Sequence, residues 1–196
     1  MKTKILLSIL VIILGLAAGY YFFRQPALHG TIIQSPEPSF DFTLTSVNGD
    51  VSLSDFRGRY VLIYFGYIFC PDICPATLAN VGQALRSMSD SQAEDIQLLM
   101  ISLDPERDTP EKLAEYVAHF HPSFIGITGS QEQLAAVTSL YGIFYEKHVG
   151  SAASGYLIDH TATLLVIDRE GYLKLVFPFG VTSKDIADDL KYMLKQ

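Results

Sequence analysis

Two nearly unbroken apolar runs organise this chain: residues 60–65 (YVLIYF) and residues 96–103 (IQLLMISL). Short runs of branched and aromatic residues with little polar alternation predict strands buried on both faces. Residues 40–44 (FDFTL) instead alternate apolar and polar, predicting a half-buried strand, and Asn48-Gly49-Asp50 is a hairpin turn signal before alternation resumes at 51–53. Helical spacing follows each long run. Leu78, Val81 and Leu85 predict a helix to about Met88, and Leu113, Tyr116, Val117 and Phe120 predict a second, with Asp108 or Thr109 as N-cap and Pro110 in its first turn. Ser130 and Gln133 form a capping box opening a third helix to about Leu140.

Residues 124–127 and 143–149 read as short strands, and 163–167 and 172–176 as a pair joined by the turn at 168–171. Residues 150–155 (GSAASG) are too small and polar to pack and are expected to form a mobile loop, after which residues 156–160 lead into the 163–167 strand. Thr182 or Ser183 caps a final amphipathic helix. The resulting order, β–β–β–α–β–α–β–α–β–β–β–α, predicts an α/β domain with helices covering a mixed central sheet.

The N-terminal end has a different pattern. Residues 5–23 are 19 uncharged, mostly apolar positions, against the roughly 20 a helix needs to cross a bilayer core. Lys2 and Lys4 precede them and Tyr20, Tyr21, Phe22, Phe23 and Arg24 end them, predicting a membrane anchor over 1–24 with a short cytoplasmic N-terminus and the remainder outside. The competing reading is a signal peptide cleaved near Gly15-Leu16-Ala17, but the apolar run exceeds an ordinary signal core and continues into bulky aromatics. The absence of an Arg- and Ser-rich transit peptide favours a bacterial inner-membrane protein with its C-terminal domain in the periplasm. Residues 25–38, punctuated by Pro26, Gly30, Pro36 and Pro38, are expected to be an extended linker in which His29 is solvated. Residues 39–196 then form the domain.

Charge narrows the function. Three of the 14 basic residues lie in the anchor, which holds no acidic residue, so the other 11 face 21 acidic ones, a formal balance of −10. Such a domain is not a nucleic-acid or anionic-lipid binder.

The candidate chemistry is the cysteine pair. Cys70 and Cys74 are the protein's two cysteines, in CPDICP between the first buried strand and its helix. A helix N-terminus favours thiolate over thiol. Residues four apart on a regular helix have Cβ atoms about 5–6 Å apart, whereas a disulfide needs about 3.8 Å. A disulfide here requires local distortion, while two sulfurs around one soft metal need less closure. A metal site or a redox site is favoured over a plain buried structural pair, and in an oxidising compartment exposed thiols must be managed. A cysteine site between a buried strand and a helix fits a thioredoxin-like architecture best, with ligands expected at the carboxyl ends of the strands, where the charged loop 104–111 (DPERDTPE) also lies. His119 and His121 are read as surface residues, leaving His148 and His160 as candidate third ligands.

FGYIFCPDICPATL, ISLDPERDTPEKL, FIGITG and YLIDHTATLLVID together resemble the Sco/SenC family of copper-binding assembly factors, over residues from about 40 to the C-terminus. Ile68 departs from the threonine more frequent there, a change expected to affect packing rather than ligation. The resemblance implies that Cys70, Cys74 and His160 bind one copper ion, as Cu(I) and Cu(II), a donor set that suits copper. Asp72 and Asp159 are expected to cap the helix or orient the ligands, and Asp104 and Arg107 to shape the rim. It further implies delivery of copper to the dinuclear copper centre in subunit II of cytochrome c oxidase. Another periplasmic copper chaperone or a thiol–disulfide oxidoreductase is a candidate additional partner. No catalytic residue is assigned. Two alternatives remain at this point: a thiol–disulfide reductase using Cys70 and Cys74 without metal, and, less favoured, a thiol peroxidase, which PSFDFTL and VSLSDFRGRYVLIYF also resemble.

Overall fold

The computed structural model describes residues 28–150 and 155–196, together with Ile12, Ile13 and Gly15. The expected anchor lies largely outside these, as do residues 25–27 and 151–154, and among the described residues no helix is long and apolar enough to cross a membrane.

In chain order the elements are β1 (Thr31–Ile32), β2 (Thr43–Ser46), β3 (Gly49–Ser52), a 3₁₀ turn (Leu53–Phe56) and β4 (Tyr60–Gly66). There follow α1 (Ile73–Arg86), α2 (Asp90–Glu94), β5 (Ile96–Ser102), α3 (Pro110–Ala118), β6 (Ile125–Ile127) and α4 (Gln131–Leu140). The chain closes with β7 (Tyr145–Val149), β8 (Tyr156–His160), β9 (Leu164–Ile167), β10 (Leu173–Phe177) and α5 (Ser183–Met193).

A six-stranded mixed sheet runs β1-β10-β9-β4-β5-β6. The two apolar runs are its centre, parallel and in register from Tyr60 opposite Ile96 to Gly66 opposite Ser102. Every residue of both strands is buried. Their alternate side chains feed two cores. Leu62, Tyr64, Leu98 and Met100 pack with Leu78, Val81 and Leu85 of α1, Leu113 and Val117 of α3, and Ile186 and Leu190 of α5. Val61, Ile63, Phe65 and Leu99 pack on the other face with Leu134 and Val137 of α4 and with Phe42 and Leu44 at the β2–β3 hairpin. A strand buried on both faces has no need of alternation, which is why these runs read as continuous.

Three expectations are corrected. The linker ends earlier than residue 38, because β1 pairs antiparallel with β10, Thr31 opposite Val176. Gly30 permits this close approach, since a Cβ there would lie 2.6 Å from the side chain of Leu175. His29 is pinned rather than solvated: its Nδ1 lies 2.8 Å from Oδ1 of Asp189, while Oδ2 of the same carboxylate accepts the backbone N–H groups of His29 and Gly30. Finally, residues 156–160 form a strand of their own, β8, paired with β7 in a two-stranded ribbon outside the main sheet. Gly150 donates its N–H to the carbonyl of Gly155 at 3.0 Å, closing that ribbon towards its tip; the loop expected to be mobile has its centre outside the described residues.

Candidate metal centre

β4 and β5 are parallel, so the loops that follow them emerge at the same edge of the sheet. The first carries the cysteines. The Cys70 N–H donates to the Tyr67 carbonyl (3.3 Å), turning the chain, and Cys74 is the second residue of α1. Asp72 holds the N-cap position, yet its side chain makes no capping bond. The cap is a sulfur instead: the Cys74 N–H donates to Sγ of Cys70 at 3.3 Å. Pro75 follows at the third helical position, where a missing N–H costs nothing.

Both cysteines are free, Cys74 with no exposed surface and Cys70 half-buried. Their acidities split. The Cys70 thiol is held down to about 4, chiefly by a hydrogen bond from the Cys74 thiol and further by His160 and the backbone N–H groups of Cys74 and Asp72, against the opposing effect of burial. Cys74 is pushed up by its bond to Cys70, by burial and by the negative charge of Cys70. The pair therefore loses its first proton at Cys70 and shares the second.

His160 completes the group. Its Nε2 lies 3.5 Å from Sγ of Cys74, and its Nδ1 lies 3.2 Å from the Thr161 carbonyl. Donation from Nδ1–H to that carbonyl orients the ring with Nε2 towards the sulfurs, the usual support for a ligating imidazole. Tyr64 and Tyr67 stand edge-on to the imidazole, with ring centroids at 6.2 and 6.1 Å. The Tyr67 hydroxyl accepts the N–H of Ile158, tying β8 to the cysteine loop. One donor atom from each of Cys70, Cys74 and His160 falls within 4.8 Å of the others, and no acidic side chain among the described residues joins them. A cleft of ≈ 380 Å³ opens onto these donors between Ile73 and Leu157. Two soft sulfurs and one imidazole nitrogen in a half-open recess fit copper and leave room for an incoming ligand.

The other expected residues sit differently. Asp159 is on the opposite face of β8 from His160, with its side chain 80% exposed and its carboxylate 3.5 Å from Nδ1 of His148. Asp72 faces solvent. Both residues line the cleft beside the donors without joining the donor group, and the imidazole itself is held by the Thr161 carbonyl and the two tyrosine rings. His119 and His121 stay outside the group, bonded to the Glu115 carbonyl and to Ser123. Asp104 is buried and, with Arg107, lies behind the cleft rather than lining it, Arg107 being stacked on Tyr156 at 3.6 Å. Ile68 packs at the core margin while its N–H donates to buried Asp108, in keeping with a packing role. Reading the sequence missed Tyr64, Tyr67 and Gly66. Only Gly66 carried a signal, as a glycine ending a buried strand directly before a cysteine loop.

The SCO1/SenC family model matches residues 32–195, nearly the whole described domain. The chain belongs to this family. An SCO2-like protein of Rickettsia felis is 38% identical over 153 residues, covering 77% of this chain and 74% of that protein. The solution structure of apo Sco1 from Thermus thermophilus aligns with a TM-score of 0.77 at 36% identity, covering 85% of this chain and 97% of the other. ScoI from Bradyrhizobium japonicum, solved with copper bound, aligns with a TM-score of 0.71 at 35% identity, covering 80% and 99%. The thioredoxin domain of a Bacteroides vulgatus thiol-disulfide oxidoreductase aligns with a TM-score of 0.58 at 16% identity, covering 82% of this chain and 98% of the other, a likeness of fold alone: the fold here is thioredoxin-like.

Proposed function

We propose that this protein is a copper-binding assembly factor that holds one copper ion on Cys70, Cys74 and His160 and delivers it to the dinuclear copper centre of cytochrome c oxidase subunit II. The observation that carries this reading is the convergence of those three donors within 4.8 Å in a chain whose relatives include structures with copper bound. The chemistry supports it. Cys70 is a thiolate at neutral pH, Cys74 gives up its proton as metal binds, and Nε2 of His160 lies beside the sulfurs, 3.5 Å from Sγ of Cys74. The proposal includes an uncleaved N-terminal anchor over residues 1–24 that places the domain on the periplasmic side of a bacterial inner membrane, beside its membrane-bound target.

The test is copper content and oxidase assembly together. Purified reduced protein is expected to bind one copper with a sulfur-to-Cu(II) charge-transfer band, and Cys70→Ser, Cys74→Ser and His160→Ala to lose tight binding. Cells carrying Cys70→Ser or His160→Ala are expected to fail in oxidase assembly under copper limitation; normal assembly there would refute the delivery role.

A second reading is favoured by the unequal thiols. A half-buried, acidic Cys70 beside a sealed Cys74 also suits thiol–disulfide exchange, with Cys70 attacking a target disulfide and Cys74 resolving the mixed disulfide. Under that reading His160→Ala is silent and either cysteine variant is inactive.

A further inference from the structure

The three donors come from two separately supported pieces of chain. Cys70 and Cys74 are fixed to the main sheet through β4 and α1, whereas His160 ends a two-stranded ribbon that shares no ladder with that sheet. An isolated two-stranded ribbon is marginal on its own. Something outside it must hold its histidine over the sulfurs.

The loop after β5 reaches both pieces. Towards the cysteines, the buried Asp108 carboxylate accepts the Ile68 N–H (2.9 Å) and the Ser102 hydroxyl (2.6 Å), and the Arg107 guanidinium lies 4.7 Å from the Phe69 ring, next to Cys70. Towards the ribbon, the same guanidinium lies 3.6 Å from the Tyr156 ring and donates from Nη1 to the Tyr156 carbonyl at 3.2 Å. Asp104, with no exposed surface, binds Nε of Arg107 with one carboxylate oxygen and accepts the Tyr156 hydroxyl with the other. Lys147 of β7 adds an outer contact to Glu106 at 2.7 Å.

Tyr156, Ile158 and His160 are alternate residues of one strand and share a face. Tyr156 is clamped by Asp104 and Arg107, Ile158 is buried and bonded to Tyr67, and His160 meets Cys74. A strand fixed at its first and third residues has its fifth delivered to a set position.

We propose that Arg107, oriented by Asp104, is a positioning residue: it bridges the cysteine loop and the ribbon and thereby sets how readily His160 leaves the donor group. The role in copper release rests on the function proposed above, whereas the bridging itself does not. Arg107→Met removes the guanidinium and keeps an apolar stem, and Tyr156→Phe removes only the hydroxyl that Asp104 accepts.

The first readout is amide exchange of the full-length, metal-free protein in detergent. Arg107→Met is expected to speed exchange about tenfold in β7 and β8 and to leave β4 and β5 unchanged, with a smaller effect in the same direction for Tyr156→Phe. The second is transfer of Cu(I) to a competing chelator, accelerated about tenfold by Arg107→Met in the presence of His160 but not in a His160→Ala background, where there is no imidazole left to position. Unchanged exchange in the ribbon in both variants would overturn the proposal, as would equal acceleration of release with and without His160. If Arg107→Met loosens the whole sheet, Tyr156→Phe decides. A wild-type protein that takes up no copper would sink the copper reading, and the exchange result alone would then decide whether Arg107 bridges the two pieces.

Discussion

The backbone N–H of Cys74 points at Sγ of Cys70, 3.3 Å away, so one sulfur caps the helix that carries the other. A sulfur that accepts a helix N-terminal N–H is stabilised as thiolate by that bond and by the helix dipole. The thiols should therefore react unequally. With iodoacetamide, Cys70 is expected to alkylate at a rate nearly constant from about pH 6 to pH 8 and falling only as pH drops towards about 4, where its thiolate is protonated. Cys74, buried and held protonated, is expected to stay unmodified in the folded protein. Mass spectrometry of the labelled peptides across pH checks both; simultaneous labelling of the two would contradict the split.

Gly66 marks how tightly the site is built. A Cβ there would stand 2.9 Å from Sγ of Cys74 and 3.0 Å from the Tyr64 ring. Gly66→Ala must displace the sulfur of Cys74, a residue with no exposed surface, or the Tyr64 ring. The expected cost is about 1–3 kcal/mol of stability, typical of overpacking, together with weakened copper binding. Denaturant unfolding and copper titration of the same sample measure the two effects.

The buried hydroxyl of Tyr67 is the acceptor for the Ile158 N–H. Tyr67→Phe keeps the ring against His160 but leaves that buried donor unsatisfied, at a cost of about 1–3 kcal/mol. Faster amide exchange at Ile158 than in wild type is the expected signature. Unaltered exchange would show that the hydroxyl does not secure β8.

The pinned N-terminal arm gives a pH dependence. The His29 pKa is raised, first by its hydrogen bond to Asp189 and then by the negative charge of that residue and of Asp185 and Asp188. A histidine with a raised folded pKa adds stability that is complete below its unfolded value near 6.5 and is lost as pH climbs through the higher folded value. Attachment of β1 to β10 is therefore expected to weaken as pH rises above about 6.5, and His29→Ala to remove that dependence. Comparing β1 amide exchange in wild type and variant at matched pH isolates the effect. Asp189→Ala should release the arm at every pH, because the backbone N–H groups of His29 and Gly30 lose their acceptor.

What could be read in the sequence follows from which forces were local. β4, β5 and the Ser130–Gln133 capping box were legible because burial on both faces and a three-residue spacing leave direct marks. β1 was not, since a two-residue edge strand is too short to show a period and is defined by its partner, β10. The role of Asp189 was hidden too: on an amphipathic helix an aspartate reads as solvated, and only the returning arm makes it a buried acceptor. The cysteine pair was evident from spacing, but residue chemistry alone did not separate His148 from His160. Ribbon register separates them. His160 stands opposite Tyr145 and faces the domain, whereas His148 stands opposite Leu157 and turns to Asp159 on the outer side.

The burial of the three donors is graded, with Cys74 sealed and Cys70 and His160 half-open. An ion held among them can be approached by a foreign thiolate only from the cleft side. On the proposed copper site, exchange would begin at Cys70 or His160, and the bond to Cys74 would be the last to break. Were the proposed carrier role to hold, such a site would hand over its ion in a fixed sequence, tethered to Cys74 until a recipient already holds it.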